Sequence, residues 1–267
     1  MDRMIHVAVN AMKNMRMDRT VNANNLANAN VPGFKRDMQL GRDSAFLENL
    51  DQFSSRVFTQ ASNTSLFEEK SGPLVNSGEQ MDLAVRGAGY LFIQPSQGGD
   101  AALSRRGDLG LDDQRRLVDG VGNLVLDAAL APIEVPAFRE FAVDEEGAII
   151  IEPADAPIGT RLEVGRIGTT LADGVALAKS GDGHIRTLEG TVPEAGEGVR
   201  IAHGYLESSN VNTVSELIAN IEGQRQFEMS VKFIRTAKEL DEKTSQLMRM
   251  PCLLYTSDAA DDWCCVD

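Results

Sequence analysis

An apolar side chain returns every three or four positions through residues 211–248. Val214, Leu217, Ile218 and Ile221 open the series, and Phe227, Val231, Ile234, Ala237, Leu240, Thr244 and Leu247 extend it. That is the helix period, and over so long a run it predicts one helix whose stripe packs on another helix, in the manner of a coiled coil. Asn210 or Asn212 stands where an N-cap is wanted. The other end of the chain offers a partner. Residues 2–30 read as a helix, with Ile5, Ala8, Met12 and Met15 on one face. Two complementary amphipathic ends pair naturally with each other, and whatever lies between them becomes an insertion.

The insertion has the texture of short strands. Met81, Leu83 and Val85 alternate along residues 81–86, and Tyr90-Leu91-Phe92-Ile93 follows as a more buried strand. Segments 109–111, 116–118, 123–126, 148–151, 161–164 and 175–177 continue the series, with glycine or acidic turns about every ten residues, as in all-β domains. The fold class expected is therefore mixed α and β: terminal helices pairing as a coiled-coil-like stalk, with an all-β domain inserted between them. Residues 1–35 form the N-terminal helix of the stalk, 36–78 an extended linker with a possible short helix over 35–50, 79–202 the β domain, and 203–250 the C-terminal helix. Ser71-Gly72-Pro73 and Asn76-Ser77-Gly78 mark turns in the linker.

Composition narrows the partners. The net charge of −14 argues against nucleic acid and against an anionic membrane surface, since both need clustered Lys and Arg. No apolar run approaches the ~20 residues of a membrane span. Asp2, Arg3, Lys13, Arg16, Asp18 and Arg19 interrupt every apolar stretch near the start, so no cleaved signal peptide is expected. All three cysteines (Cys252, Cys264, Cys265) and the single tryptophan, Trp263, fall in the last sixteen residues. Their spacing is not that of a zinc site. The run Cys252–Asp261 resembles a translated library-adapter sequence, and residues 251–267 are read as a non-native tail.

Candidate chemistry is sparse. His6, His184 and His203 have no second ligand at metal spacing, and no nucleophile elbow, phosphate loop or dinucleotide fingerprint occurs. Asp112-Asp113, Asp144-Glu145-Glu146 and Glu68-Glu69 sit beside turns and read as solvated faces. Neither catalytic residues, metal nor cofactor are expected. Arg106-Gly107-Asp108 spells an adhesion tripeptide, but its glycine lies between two strand segments, where a turn is expected.

Three separated strings carry a stronger signal. The first is Asn24-Asn25-Leu26-Ala27-Asn28 with Gly33 and Phe34, where Pro32-Gly33 ends the helix in a turn. The second is Met81-Asp82-Leu83-Ala84-Val85 with Gly87, Gly89 and Tyr90, followed by Ser104–Leu109. The third is Gly204-Tyr205-Leu206-Glu207-Ser208-Ser209-Asn210-Val211-Asn212 with Gln224-Arg225-Gln226-Phe227-Glu228. In this order they resemble the signatures of the flagellar axial proteins, the family of rod, hook and hook-junction subunits. Size and the two chain ends resemble a proximal-rod subunit most, with a distal-rod subunit as the alternative. Arg115 departs from the family by standing where a hairpin glycine is usual.

The resemblance implies a structural subunit of the flagellar rod, exported through the flagellar export apparatus without a cleaved signal and polymerised in the periplasm to transmit torque. Its partners would be other rod subunits, with no nucleic acid and no membrane insertion. The assembly positions it implies are the motif residues above, with Leu217, Ile221, Val231 and Ile234 on the C-terminal stripe. From a different class, a secreted ligand-binding β domain with coiled-coil arms is the competing reading.

Overall fold

The computed structural model describes residues 2–38, 66–196 and 198–248. Most of the possible helix at 35–50, the extended stretch 51–65 and the cysteine-bearing tail lie outside the described residues. The protein is mixed α and β, a β-rich body carrying a long helix at its C-terminal side. Helix α1 spans Asp2–Ala27 and helix α2 spans Thr213–Met248. Pro32 and Gly33 occupy the middle of the turn after α1, which Phe34 closes by donating to Val31 O at 3.3 Å. Residues 35–38 are extended, with Asp37 bridged to Phe67, so the described start of the 35–50 segment is not helical.

Strands β1 (Leu74–Asn76), β2 (Leu83–Arg86), β3 (Tyr90–Gln94), β4 (Ala102–Ser104), β5 (Leu109–Leu111), β6 (Leu117–Asp119), β7 (Leu124–Val125) and β8 (Phe138–Val143) come first. They are followed by β9 (Ala148–Pro153), β10 (Leu162–Arg166), β11 (Thr169–Thr170), β12 (Leu177–Lys179), β13 (Ile185–Thr187), β14 (Arg200–His203) and β15 (Tyr205–Glu207). The largest sheet runs β12-β13-β4-β3-β7-β6-β5, with β11 added beside β3. A second sheet is β10-β9-β8, and two antiparallel pairs, β14-β2 and β1-β15, complete the body. The β1-β15 pair sits where sequence reading expects linker and helix, and it draws 74–76 and 205–207 into the strands. Neither strand is long or alternating enough to be visible in the sequence.

Strand β3 divides the core. Leu91 enters the larger cluster with Leu83, Leu117, Phe141 and Ile149, whereas Tyr90 and Phe92 enter the smaller one with Leu103, Leu126 and Ile185. The period of two in a strand does this when both faces are covered.

One turn device recurs between the strands. Asp112, Asp119, Asp127 and Asp144 each accept from the backbone N–H groups two and four residues on, at 2.8–3.0 Å. The residue three positions on is left-handed every time: Arg115 at φ 59°, Gly122 at 92°, Leu130 at 61° and Gly147 at 87°. This is a type I turn followed by a left-handed residue, with the aspartate tying off the donors the bend leaves free. Arg115 and Leu130 hold that position without being glycine, and in the first of these turns Asp112 also accepts from the Arg116 side chain, Nε to Oδ2 at 2.8 Å. These backbone bonds hold the Asp112 carboxyl below its ordinary range.

The adhesion-like tripeptide forms no hairpin of its own. It joins β4 to β5, which are not paired with each other, and Leu83 N donates to Gly107 O at 2.9 Å. Arg106 and Asp108 bind one another through two bonds of 2.6 and 2.7 Å.

Candidate assembly site at the root of the helices

Of the asparagine string at the end of α1, Asn25 turns inward, while Asn24 is exposed and Asn28 half-buried. Asn25 is fully buried, and its amide makes a two-way bond with the Asp37 backbone: Nδ2 donates to Asp37 O at 3.0 Å, and Asp37 N donates to Oδ1 at 2.8 Å. An amide side chain thus imitates a strand partner, which neither Asp nor Leu could do. Asn24 Nδ2 reaches Asp37 Oδ2 at 2.8 Å, and Asn28 Nδ2 binds back to Asn24 O and Oδ1, both at 2.8 Å. The other oxygen of Asp37 receives Lys179 Nζ at 2.5 Å. That ammonium also lies 3.9 Å from the centre of the Phe34 ring, a cation–π contact. Burial lowers the pKa of Lys179, opposed by its bond to Asp37.

Gly33 lets the turn touch the body. Its φ is +68°, and a Cβ there would lie 2.3 Å from Arg105 O. Its N–H donates to Glu207 O at 2.7 Å. Glu207 is the hub of the junction. One carboxylate oxygen accepts from Lys35 Nζ at 2.8 Å and from Gly72 N at 2.9 Å, and the other from Arg105 Nε at 2.7 Å. All three side chains are buried, so one anion serves two cations. The excess positive charge is spread on carbonyls: Arg105 donates to Val85, Gly87 and Gly89, and Lys35 to Lys70 at 3.0 Å. Burial still lowers the Lys35 pKa, against the pull of Glu207.

The entry to α2 is tied to the same place. Asn210 accepts from Arg36 N at 2.6 Å and donates to Glu68 O and Lys70 O. Ser209 Oγ accepts from Val211 N, and Asn212 Oδ1 caps the helix by accepting from Val214 N and Ser215 N. Glu216, in the first turn, is buried and receives Arg36 Nε at 2.5 Å, while its second oxygen takes no hydrogen bond.

The motif residues therefore divide into two groups. Asn24, Asn25, Asn28, Gly33, Phe34, Ser209, Asn210 and Asn212 meet at the junction, flanked by the half-buried Leu26, Leu206 and Val211, while Ala27 is exposed. The helix residues Leu217, Ile221, Gln224, Arg225, Phe227, Glu228, Val231 and Ile234 do not reach it. They also fail to form one stripe. At ~100° per residue, Gly223, Phe227, Ser230, Ile234 and Ala237 fall on one side of α2 and are half-buried. Helix α1 packs there, with Met15 Sδ 3.8 Å from Ser230 Oγ and Arg19 Cγ 3.6 Å from a Cβ position on Gly223. Leu217, Ile218 and Ile221 point the other way and are 47–51% exposed.

Sequence reading passed over the residues that close the junction: Lys35, Asp37, Arg105, Lys179 and Glu207. The available signal was weak but present, since Lys35, Arg105 and Glu207 each sit inside or beside a motif string.

Comparison with known proteins identifies the family to which these segments are similar. The family model described as "Flagella basal body rod protein" matches residues 5–35, and that described as "Flagellar basal body rod FlgEFG protein C-terminal" matches residues 202–247. These segments carry the two sides of the junction. The flagellar basal-body rod protein FlgF of Salmonella typhimurium is 30% identical over 257 residues, 94% of this chain and 100% of the relative. FlgF of Caulobacter vibrioides is 30% identical over 252 residues, covering 90% and 95%. FlgG of Bacillus subtilis is 29% identical over 267 residues, covering 92% and 99%. A match along whole relatives leaves no room for the competing reading of a ligand-binding β domain with helical arms, and the chain belongs to the flagellar basal-body rod protein family, as a FlgF-like structural subunit.

Proposed function

We propose that this rod subunit polymerises through α1 and α2 and, in the proximal rod, helps transmit torque from the motor to the hook. The helices pair in coiled-coil fashion as the inner wall, and the β-rich body sits outside. Other rod subunits are its partners, the flagellar export apparatus is its route, and the basal body is its place. The observation that carries this reading is the outer face of α2. Leu217, Ile218 and Ile221 are half exposed on the side away from α1, where a lone subunit gains nothing from leaving large aliphatic side chains in water. Rigidity at the root serves the same end, because torque passing from helix to body crosses a junction of directional bonds.

The test separates the two faces of α2. Ile221→Asp places a charge on the outer face, tolerable in the monomer and costly by several kcal/mol in an apolar interface. The purified variant should melt like the parent, while a strain carrying it should lack rods and fail to swim. A motile strain with intact basal bodies would overturn the proposal.

A further inference from the structure

We infer that Lys179, Asp37 and Asn24 are arranged to join the body to α1 by a self-catalysed amide bond between Lys179 Nζ and Asn24 Cγ. The two nitrogens hang from the two oxygens of one carboxylate: Nζ donates to Asp37 Oδ1 at 2.5 Å, and Asn24 Nδ2 donates to Oδ2 at 2.8 Å. The amide is held from its other end as well, because Asn28 Nδ2 donates to Asn24 Oδ1 at 2.8 Å. These four residues, with Phe34, line one cavity between the end of α1 and the turns of the body. Lys179 and Asp37 are buried, and Nζ lies 3.9 Å from the centre of the Phe34 ring, so water is kept from the amine.

Each group that acyl transfer needs is present, in a role its bonds define. Asp37 is the base. It takes a proton from the ammonium onto Oδ1, and the lone pair set free points back toward the carboxylate that also carries Asn24. Burial, which lowers the Lys179 pKa, favours that transfer. Nζ then attacks Asn24 Cγ, and the negative charge that gathers on Asn24 Oδ1 is met by the Asn28 N–H. The Cγ–Nδ2 bond breaks as Asp37 passes its proton to the departing nitrogen. The ammonium of Lys179 and the carboxamide of Asn24 thus give one secondary amide and one ammonium ion. Asp37 ends as the carboxylate it began, and no co-reactant is needed. Lys35 does not compete, because its Nζ is committed to Glu207 and to Lys70 O. The product fixes the last turns of α1 covalently to the end of β12.

The test is the intact mass of the full chain, kept folded at neutral pH and then denatured for measurement. The parent should be lighter than its sequence by one ammonia. Trypsin should leave Lys179 uncut and release one branched peptide joining it to Asn24. Lys179→Arg, which keeps a cation beside Asp37, should have its full mass. Asn28→Ala should form the bond about a hundredfold more slowly. Circular dichroism of both variants should match the parent, since the strands form without the bond.

A parent of full sequence mass would overturn the proposal. A loss of one water in place of ammonia would put the bond on Asp37 and overturn Asn24 as the acyl group. A loss of ammonia that persists in Lys179→Arg would mean that an asparagine had closed on its own backbone, overturning the cross-link. None of these outcomes bears on assembly through α2, which Ile221→Asp reads separately.

Discussion

The junction and the helix pair join the same two chain ends by opposite means. At the junction, Asn25, Lys35, Arg105 and Glu207 are buried, polar and bonded in fixed directions. Along the helices, contact rests on Met15, Phe227, Ile234 and small residues, and much of the apolar surface is left in water. Hydrogen-bonded ions tolerate little displacement, because an unpaired buried charge is expensive. Apolar surfaces are non-directional and accept a new neighbour readily. The difference teaches that the polar region sets the subunit's own geometry, and the apolar region is kept for other subunits.

The largest test of that division is Glu207→Ala. It leaves Lys35 and Arg105 buried without their anion, and the cost should be about 3–5 kcal/mol in denaturant unfolding. If the loss were no greater than that of Ile221→Asp, the contrast between the two regions would collapse. Gly33→Ala comes next. Strained φ and the approach to Arg105 O should together cost about 1–3 kcal/mol, and hydrogen exchange should rise at Asp37 and Asn210 before it rises in β3.

Alkaline titration sharpens the contrast from the body side of the junction. Burial, then the Glu69 charge, raises Tyr90 from 10.0 to about 12, close to the Arg105 guanidinium. A raised folded pKa contributes stability in full below pH 10, lost as pH climbs through about 12. Lys35 and Lys179 run the other way: their folded pKa lies below 10.5, the unfolded chain holds the extra proton, and stability gains as pH approaches 10.5. Melting curves from pH 9 to 12 should therefore fall above pH 10, and Tyr90→Phe should flatten that fall. An unchanged slope in the variant would place the alkaline weakness elsewhere. Smallest is Asp127→Ala, which frees two backbone donors beside the left-handed Leu130 and should cost about 1 kcal/mol. Its effect should stay in the β-rich body, with helix assembly untouched.

The helices were legible because periodicity is local: the apolar series from Val214 to Leu247 announces α2 whatever surrounds it. The turns were half legible. Acidic pairs beside glycine marked their places, but the backbone-binding role of Asp112 and Asp144 needs the bend itself before it exists. The strands β1, β4, β13, β14 and β15 were missed because three or four residues carry too little pattern, and β1, β14 and β15 pair far away in the chain; β8, six residues long, was missed because Phe138–Val143 does not alternate. The stripe of α2 was read as one face, and geometry split it, since steps of three and four drift around a cylinder over so long a helix.

The sequence by itself determined two helical ends, a turn-rich body of strands and the strings that mark the family. Those rest on neighbours a few residues apart, where period, capping and backbone stiffness act. Only the tertiary structure decided that Lys35 and Glu207, 172 positions apart, share a bond, that Lys179 returns across 142 positions to Asp37, and which side of α2 is already taken. A buried ion pair leaves no local trace, because its energy depends on the water removed around it, and that is known only once the chain has folded.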